Sequence, residues 1–105
     1  MLRVTYTGYL DIQTLQVALG KAQMDLRPGM AVTMVVDASE MRGYDRDARA
    51  FFIAWNRKHR ASVRAVGVVT TNPLWRMIIH AMSLASTQRM KPFNSLEEAL
   101  DWAER

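Results

Sequence analysis

Apolar runs typical of β-strands alternate with helix-period segments along the whole chain, and this alternation restricts the fold more than any other feature. The first run, Leu2 to Tyr6, is β-branched and aromatic, and Gly8 is expected to end it. The second, Val32 to Val36, is almost wholly apolar, as expected for a strand covered on both faces of a parallel sheet. Val63 to Thr70 predicts a third strand of the same kind.

Helix signals lie between these runs. Asp11 and Asn72 are good N-caps, the second followed by Pro73 at the first helical position, and a further helix is predicted to begin near Asp45. A fourth helix follows the capping box at Ser95. The apolar stripes expected to face the sheet are Ile12, Leu15, Leu19, Ala22 and Leu26; Ala48, Phe51, Phe52, Trp55 and His59; Leu74, Met77, Ile78, Ala81 and Met82; and Leu96, Ala99, Leu100 and Ala103.

A short fourth strand is predicted at Arg89 to Phe93, with Pro92 placing it at an edge. The order is then β-α-β-α-β-α-β-α, which predicts a single α/β domain over residues 1–105 with a mixed, mainly parallel sheet covered by helices. The periodicity does not decide whether Trp55, Trp75 and Trp102 belong to the core or to an interface.

Several kinds of chemistry have no support in the sequence. The chain contains no Cys, which excludes disulfides, thiolate catalysis and cysteine zinc sites. Its only histidines, His59 and His80, lack the spacing of a helical metal pair, and no glycine-rich nucleotide loop is present. We therefore expect a protein that is not an enzyme and that uses no cofactor and no metal.

The distribution of charge and hydropathy suggests a soluble protein. No apolar run approaches the ~20 residues that cross a bilayer, and the N-terminus lacks a signal-peptide core, so the expected location is the cytoplasm. The net charge of +4 is compatible with nucleic-acid binding through Arg57, Lys58, Arg60 and Arg64. A mildly basic solvated surface is the favoured interpretation, because net charge alone identifies no site.

Ligands of open α/β sheets bind beyond the carboxyl ends of the strands, and two predicted loops qualify. The first runs from Asp37 to Asp47 and mixes Met41 and Tyr44 with Arg42, a composition that suits a protein interface. Alternatively, Met41 folds back onto the core. This loop and the helix after it are the predicted binding surface for a protein partner, which could be a second copy of the chain.

The second loop leads into the third helix. Two hydroxyls at Thr70 and Thr71, the free backbone N–H groups after Asn72, and the guanidinium of Arg76 could hold a phosphate or another anion. Thr and Asn are also ordinary helix caps, and this simpler role is favoured. Binding of a small anion, nucleotide or lipid here is the alternative function.

The strand that ends in Asp37-Ala38-Ser39 and the closing segment Glu98-Ala99-Leu100-Asp101-Trp102 together resemble a known fold family. With Gly8 after the first extended segment, the chain is similar to small bacterial STAS-like domains, also described as STAS/SEC14-like or SpoIIAA-like. The resemblance implies a non-enzymatic regulatory or scaffolding module, like the anti-sigma-factor antagonists. The SEC14 part of the label implies a lipid or other apolar ligand as a minority alternative.

The resemblance also implies where a regulatory switch would lie. In anti-sigma-factor antagonists a partner kinase phosphorylates the serine after the second Asp of this loop. Asp37, Ser39 and Asp45 match the pattern, but Arg46 occupies the position of that serine. Arginine offers no oxygen to phosphorylate and carries the opposite charge. We therefore expect a partner-binding module without the serine phospho-switch.

Overall fold

A computed structural model describes residues 1–105 and confirms the predicted α/β fold. Four strands form one sheet in the order β1-β2-β3-β4, and every neighbouring pair is parallel. The strands are β1 (Leu2–Leu10), β2 (Val32–Tyr44), β3 (Val63–Val69) and β4 (Met90–Phe93). The helices are α1 (Ile12–Met24), α2 (Arg46–Lys58), α3 (Pro73–Ser86) and α4 (Leu96–Ala103).

The helices cover the two faces of the sheet unequally. The larger core joins α1, α2 and α3 to one face, where Leu15, Leu19, Phe52 and Ile79 are buried against the strands. The smaller core lies on the other face, where α4 packs on the remaining strand side chains. Because α2 and α3 are neighbours over the same face, the space between them and the sheet is where the chain can form an internal cavity.

Helix starts follow the local chemistry that the sequence indicates. The Asp11 carboxylate accepts a hydrogen bond from the Thr14 N–H at 2.7 Å, and the Ser95 hydroxyl oxygen accepts one from the Glu98 N–H at 3.2 Å. Each bond satisfies one of the amide groups that a helix leaves without an internal partner. The Thr14 N–H also lowers the pKa of Asp11 by stabilising its charged form.

The first two strands are longer than the sequence suggests, and the prediction that they end at Tyr6 and Val36 is wrong. β1 continues through Gly8, which adopts φ +65°, and β2 continues to Tyr44. Their extensions pair with each other, from Thr7 with Glu40 to Leu10 with Tyr44, with one register shift just before Thr7 and another after Gly8. The predicted loop from Asp37 is therefore mostly strand, because each extension supplies hydrogen-bonding partners for the other.

The inward stripe predicted for α3 is rotated in the structure. Leu74 and Met77 were expected to face the sheet, yet they are 61% and 70% exposed. Ala81 is exposed as well, whereas Ile79 is buried and Ile78 and Met82 are half-buried. Both faces of α3 are apolar, so periodicity alone could not identify the face that packs on the sheet.

The three tryptophans differ in how far they are buried. Trp55 is buried in the larger core, and Trp75 and Trp102 are half-buried. The Trp102 ring lies 5.0 Å from the Phe93 ring, centroid to centroid, and packs over Gly67 of β3. A Cβ at Gly67 would lie 2.9 Å from the Trp102 ring, so the glycine leaves the space in which α4 sits.

Candidate functional site

The side chains of the predicted partner loop differ in how far they are buried. Met41 and Tyr44 are half-buried and pack against the larger core, as the alternative for Met41 anticipated. Ser39 and Arg42 are exposed. The register shift between β1 and β2 leaves Arg42 as an extra residue between Met41 and Gly43, which interrupts the regular alternation of β2. The half-buried apolar side chains and the exposed polar ones therefore do not form one mixed surface.

The acidic residues of this segment bind neighbouring side chains. The Asp37 carboxylate accepts hydrogen bonds from the Ser39 N–H at 3.1 Å and from its hydroxyl at 2.6 Å. The Asp45 carboxylate accepts one from the Tyr9 hydroxyl at 2.5 Å and makes no side-chain cap bond to α2. This hydrogen bond, together with the nearby charges of Asp45 and Asp11, raises the pKa of Tyr9. Arg46 is exposed as the first residue of α2.

A cavity of about 80 Å³ lies between the sheet and the inner sides of α2 and α3. Fourteen of its sixteen lining residues are hydrophobic, and the two exceptions are Thr70 and Arg49. Met41 and Tyr44 belong to its wall, which explains their burial. Six elements supply the lining, and Thr70 follows β3: Tyr6 and Leu10 from β1; Leu15 from α1; Val36, Ala38, Met41 and Tyr44 from β2; Ala48, Arg49 and Phe52 from α2; Val68 from β3; and Trp75, Ile78, Ile79 and Met82 from α3.

Tyr6 is the residue of this cavity whose polar atom is buried without a hydrogen-bond partner. Its side chain is 6% exposed, and its hydroxyl oxygen is buried without any hydrogen bond. Burial raises the pKa of Tyr6, because the low-dielectric surroundings disfavour the phenolate. The group therefore remains a neutral phenol, which can donate one hydrogen bond and accept another.

Two aromatic rings connect the end of β2 to the beginning of α3. Tyr44 and Trp75 meet edge to face, with centroids 5.8 Å apart and ring planes at 61°. Both are half-buried and line the cavity, so they form a side of its wall that is in contact with solvent. Sequence reasoning missed this cavity, and the one local signal available was the phenolic side chain of Tyr6 within a predicted strand.

At the start of α3, most of the groups predicted to bind an anion make hydrogen bonds within the chain instead. The Asn72 side-chain oxygen accepts from the Leu74 and Trp75 N–H groups at 3.0 and 3.3 Å. The Arg76 guanidinium donates to the Thr70 carbonyl at 3.2 Å and to the Asn94 side chain at 2.9 Å. Thr70 is buried and its hydroxyl oxygen accepts from the Asn72 N–H, while Thr71 is exposed. These contacts match the capping role.

The outward face of α3 is largely apolar and carries no Lys, Arg, Asp or Glu, although His80 lies exposed between Met77 and Leu84. Leu74, Met77 and Leu84 are 61%, 70% and 83% exposed, and Ala81 lies exposed between them. The single charged residue of α3, Arg76, is half-buried and held by the contacts described above. A helix that is hydrophobic on all sides is normally buried on all sides, so this face has the composition of a contact surface.

Most of the basic side chains predicted as a nucleic-acid surface hold the fold together. The Arg57 guanidinium donates to the Ala85 carbonyl, and that of Arg60 donates to the Thr87 hydroxyl oxygen, so α2 and the turn after it are tied to the end of α3. Arg64 donates to the Thr33 hydroxyl oxygen at 3.0 Å. No group of three or more His, Asp or Glu side chains is placed to hold a metal ion. None of the helices is long and apolar enough to cross a membrane.

Comparison with known proteins agrees with this architecture. A family model described as SpoIIAA-like matches residues 1–104. The chain belongs to the SpoIIAA-like family. SpoIIAA-like domains generally serve as regulatory modules that interact with other proteins, without catalytic activity of their own.

A solved structure shows the same SpoIIAA-like fold. It is an uncharacterised protein of the DUF3478 family from Shewanella loihica PV-4, with 18% sequence identity and a TM-score of 0.74. The match covers 94% of this SpoIIAA-like chain and 80% of the other. No curated protein matches the sequence.

Proposed function

We propose that this SpoIIAA-like chain is a non-catalytic regulatory module that binds a protein surface through the outward face of α3. A second copy of the chain is the partner to which the proposal commits. The observation that carries it is the exposure of Leu74, Met77 and Leu84 on a helix face that carries no Lys, Arg, Asp or Glu. The half-buried Met41 and Tyr44 favour this face over the end of β2 as the apolar centre of an interface.

The spacing of the exposed residues suits packing against an identical helix. Leu74, Met77, Ala81 and Leu84 are separated by three, four and three residues, which is the seam of two helices packed side by side. The small Ala81 in the middle permits a close approach of the two backbones. A two-fold interface uses the same patch on both subunits, so a self-complementary seam of this kind meets its requirement.

The exposed area is compatible with a dimer. Three side chains of this size and exposure present an apolar patch on the order of 400 Å², at the level of the largest patch on an ordinary monomer. Two such patches, with the polar rim around them, approach the total of about 1,200 Å² that specific interfaces bury at their lower end. Since the face carries no Lys, Arg, Asp or Glu, its pairing brings no like charges of these residues together.

The proposal is tested by measuring the solution mass with light scattering at about 100 µM, a concentration well above the micromolar Kd typical of weak specific complexes. We expect twice the chain mass of 12.0 kDa for the wild type and the single mass for Met77→Glu and Leu84→Glu. Val17→Glu is the matched control, because Val17 is a 60% exposed apolar residue on α1, and this variant should remain a dimer.

Two outcomes would overturn the proposal in different ways. A monomeric wild type would exclude a second copy as the partner. A dimer that persists in both α3 variants but is lost in Arg42→Ala or Tyr44→Ala would place the interface at the end of β2, where the sequence predicts it. Folding of each variant is checked by its circular dichroism spectrum. The exposed Met77, Leu84 and Arg42 contribute little to the stability of the monomer, whereas the half-buried Tyr44 makes this check essential for Tyr44→Ala.

A further inference from the structure

The two edges of the sheet differ in how they are protected. β4 forms one edge with four residues, among which Pro92 has no N–H to donate and Lys91 carries an exposed charge. Both features discourage the addition of another strand. β1 forms the other edge with nine residues and contains neither Pro nor Lys. Its outward row of backbone N–H and C=O groups is therefore a template on which a further strand can pair.

A groove runs beside this free edge. It lies between β1 and α1 and has a volume of about 320 Å³, within the range of binding clefts. Leu2 and Val4 line it from the strand, and Ala18 and Ala22 line it from the helix. The small side chains of the two alanines leave room for the side chains of an added strand. Backbone pairing and a side-chain pocket are thus present together, as in other proteins that bind extended peptides.

The charges around the groove indicate the chemistry of its occupant. β1 and α1 contain one charged residue each, Arg3 and Lys21, and both line the groove. Neither forms an ion pair within the chain, whose one ion pair joins Arg105 and Asp101. The acidic residue of the lining is Asp25, the C-cap of α1, so the groove keeps a net positive charge. A complementary partner therefore carries acidic side chains.

We propose that β1 binds an extended segment of a partner protein in which acidic residues alternate with small apolar residues such as Val. The segment adds to the sheet as a fifth strand, and its backbone pairs with the free edge of β1. Val4 packs against the larger core, so the neighbouring Arg3 points to the opposite face of the sheet. The apolar side chains of the segment then enter the groove beside Val4 and Ala18, and the acidic ones lie on the face of Arg3.

This site is separate from the outward face of α3. On the same side of the sheet, α1 packs beside α2 and α2 packs beside α3, so the groove and the α3 face belong to different helices. A dimer formed through α3 leaves the β1 edge free. The peptide site and the proposed dimer can therefore be present or absent independently.

The experiment compares two synthetic peptides with blocked ends, TEVEVET and TKVKVKT, which differ in the sign of their charges. Each is titrated to about 1 mM, a concentration that detects weak complexes, into ¹⁵N-labelled protein, and Kd is obtained from backbone amide shifts. We expect TEVEVET to shift amides of β1 and α1. It should bind about tenfold more tightly than TKVKVKT, the combined effect of a few exposed ion pairs.

Charge reversal places the site. In the double variant Arg3→Glu, Lys21→Glu the preference should change to TKVKVKT. Lys91→Glu is the matched control, because it makes the same change in the same row of the sheet at the opposite edge. It lies three strand spacings from Arg3, about 14 Å, which is beyond the range of screened surface charges. This variant should keep the preference for TEVEVET. The amide spectrum of each variant also shows that it is folded.

N-methylated forms of TEVEVET test the strand pairing itself. In an extended peptide the N–H groups of alternate residues point to the same side, so methylation of the valine amides blocks one edge and methylation of the glutamate amides blocks the other. We expect one modified peptide to lose binding and the other to retain it, because a single edge pairs with β1. Equal effects of the two modifications would overturn the addition of a strand.

Three further results would overturn the proposal. If TEVEVET shifts no amides of β1, the site does not exist. A preference for TEVEVET that persists in the double variant would exclude Arg3 and Lys21 from recognition of an acidic segment. Shifts of the β1 amides on raising the protein concentration alone would make a second copy of the chain the occupant of this edge. The α3 dimer is measured separately by light scattering, so its failure is distinguishable from each of these results.

Discussion

At the scale of single residues, the unpaired hydroxyl of Tyr6 predicts a stabilising substitution. Tyr6→Phe removes a buried polar oxygen that makes no hydrogen bond and keeps the aromatic ring in place. We expect the free energy of unfolding to rise by about 1 kcal/mol, because the desolvation cost of the hydroxyl disappears. Urea unfolding of wild type and variant measures the difference.

Tyr44→Phe is the matched control for this substitution. Tyr44 is half-buried, so its hydroxyl loses less hydration on folding, and the expected change is within about 0.5 kcal/mol. A Tyr6→Phe variant that is less stable than the wild type would show that the hydroxyl already has a partner, such as an ordered water.

Gly67 is a second residue whose role can be measured. Its hydrogen faces the Trp102 ring, and a Cβ would lie 2.9 Å from that ring and 3.0 Å from the Phe93 ring. Gly67→Ala should destabilise the fold by about 1–3 kcal/mol through overpacking. Gly20→Ala is the control, because Gly20 is an exposed helical residue with open space at its Cβ, and it should gain about 0.5–1 kcal/mol. Equal effects of the two variants would contradict this account.

At the scale of helices and strands, helix starts were the most predictable features. Asp11, Asn72 and Ser95 each accept an amide hydrogen within two or three residues, so the whole interaction is present in the local sequence. Asp45 precedes α2 as expected, yet its carboxylate binds Tyr9, which lies 36 residues away. A residue of suitable type thus marks the helix start, but the sequence cannot show which bond its side chain makes.

The cap at Asn72 gives a test at this scale. Its side-chain oxygen accepts two amide hydrogens at the start of α3, so Asn72→Ala leaves both without this acceptor. We expect a loss of about 1 kcal/mol in the free energy of unfolding, and recovery of most of it in Asn72→Ser, which restores a capping oxygen. If Asn72→Ser is as unstable as Asn72→Ala, the loss does not come from the cap.

Strand ends and helix orientation were less predictable than helix starts, because both depend on distant partners. From its local sequence, Gly8 is expected to end the first strand. The pairing of Thr7 with Glu40 and of Leu10 with Tyr44 nevertheless continues β1 past it. In α3, residues such as Leu74 and Ile79 are equally apolar, so only the packing of the helix decides which is buried. The sequence contains the apolar residues of the site but not the contacts that select among them.

At the scale of the whole molecule, the order of elements predicts the fold, but the cavity has no local signature. Its wall combines residues from β1, α1, β2, α2, β3 and α3, from Tyr6 to Met82, and no fixed spacing relates them. The cavity arises because α2 and α3 lie side by side on one face while β1 and β2 extend beyond the rest of the sheet. Side chains from both extensions then close one end of the space beneath the helices.

If α3 pairs with α3 of a second copy, the stability of the molecule depends on protein concentration. A dimer that unfolds to two separate chains gains stability as concentration rises, by about 1.4 kcal/mol per dimer for each tenfold increase. We expect the thermal midpoint of the wild type to rise by a few degrees between about 5 and 500 µM, a range that spans a micromolar Kd. Leu84→Glu should show no such rise, because Leu84 is 83% exposed in the monomer and its replacement disrupts only the paired face. Val17→Glu should behave as the wild type. A midpoint that is independent of concentration in all three proteins would mean that the outward face of α3 is solvated and that a second copy of the chain is not its partner.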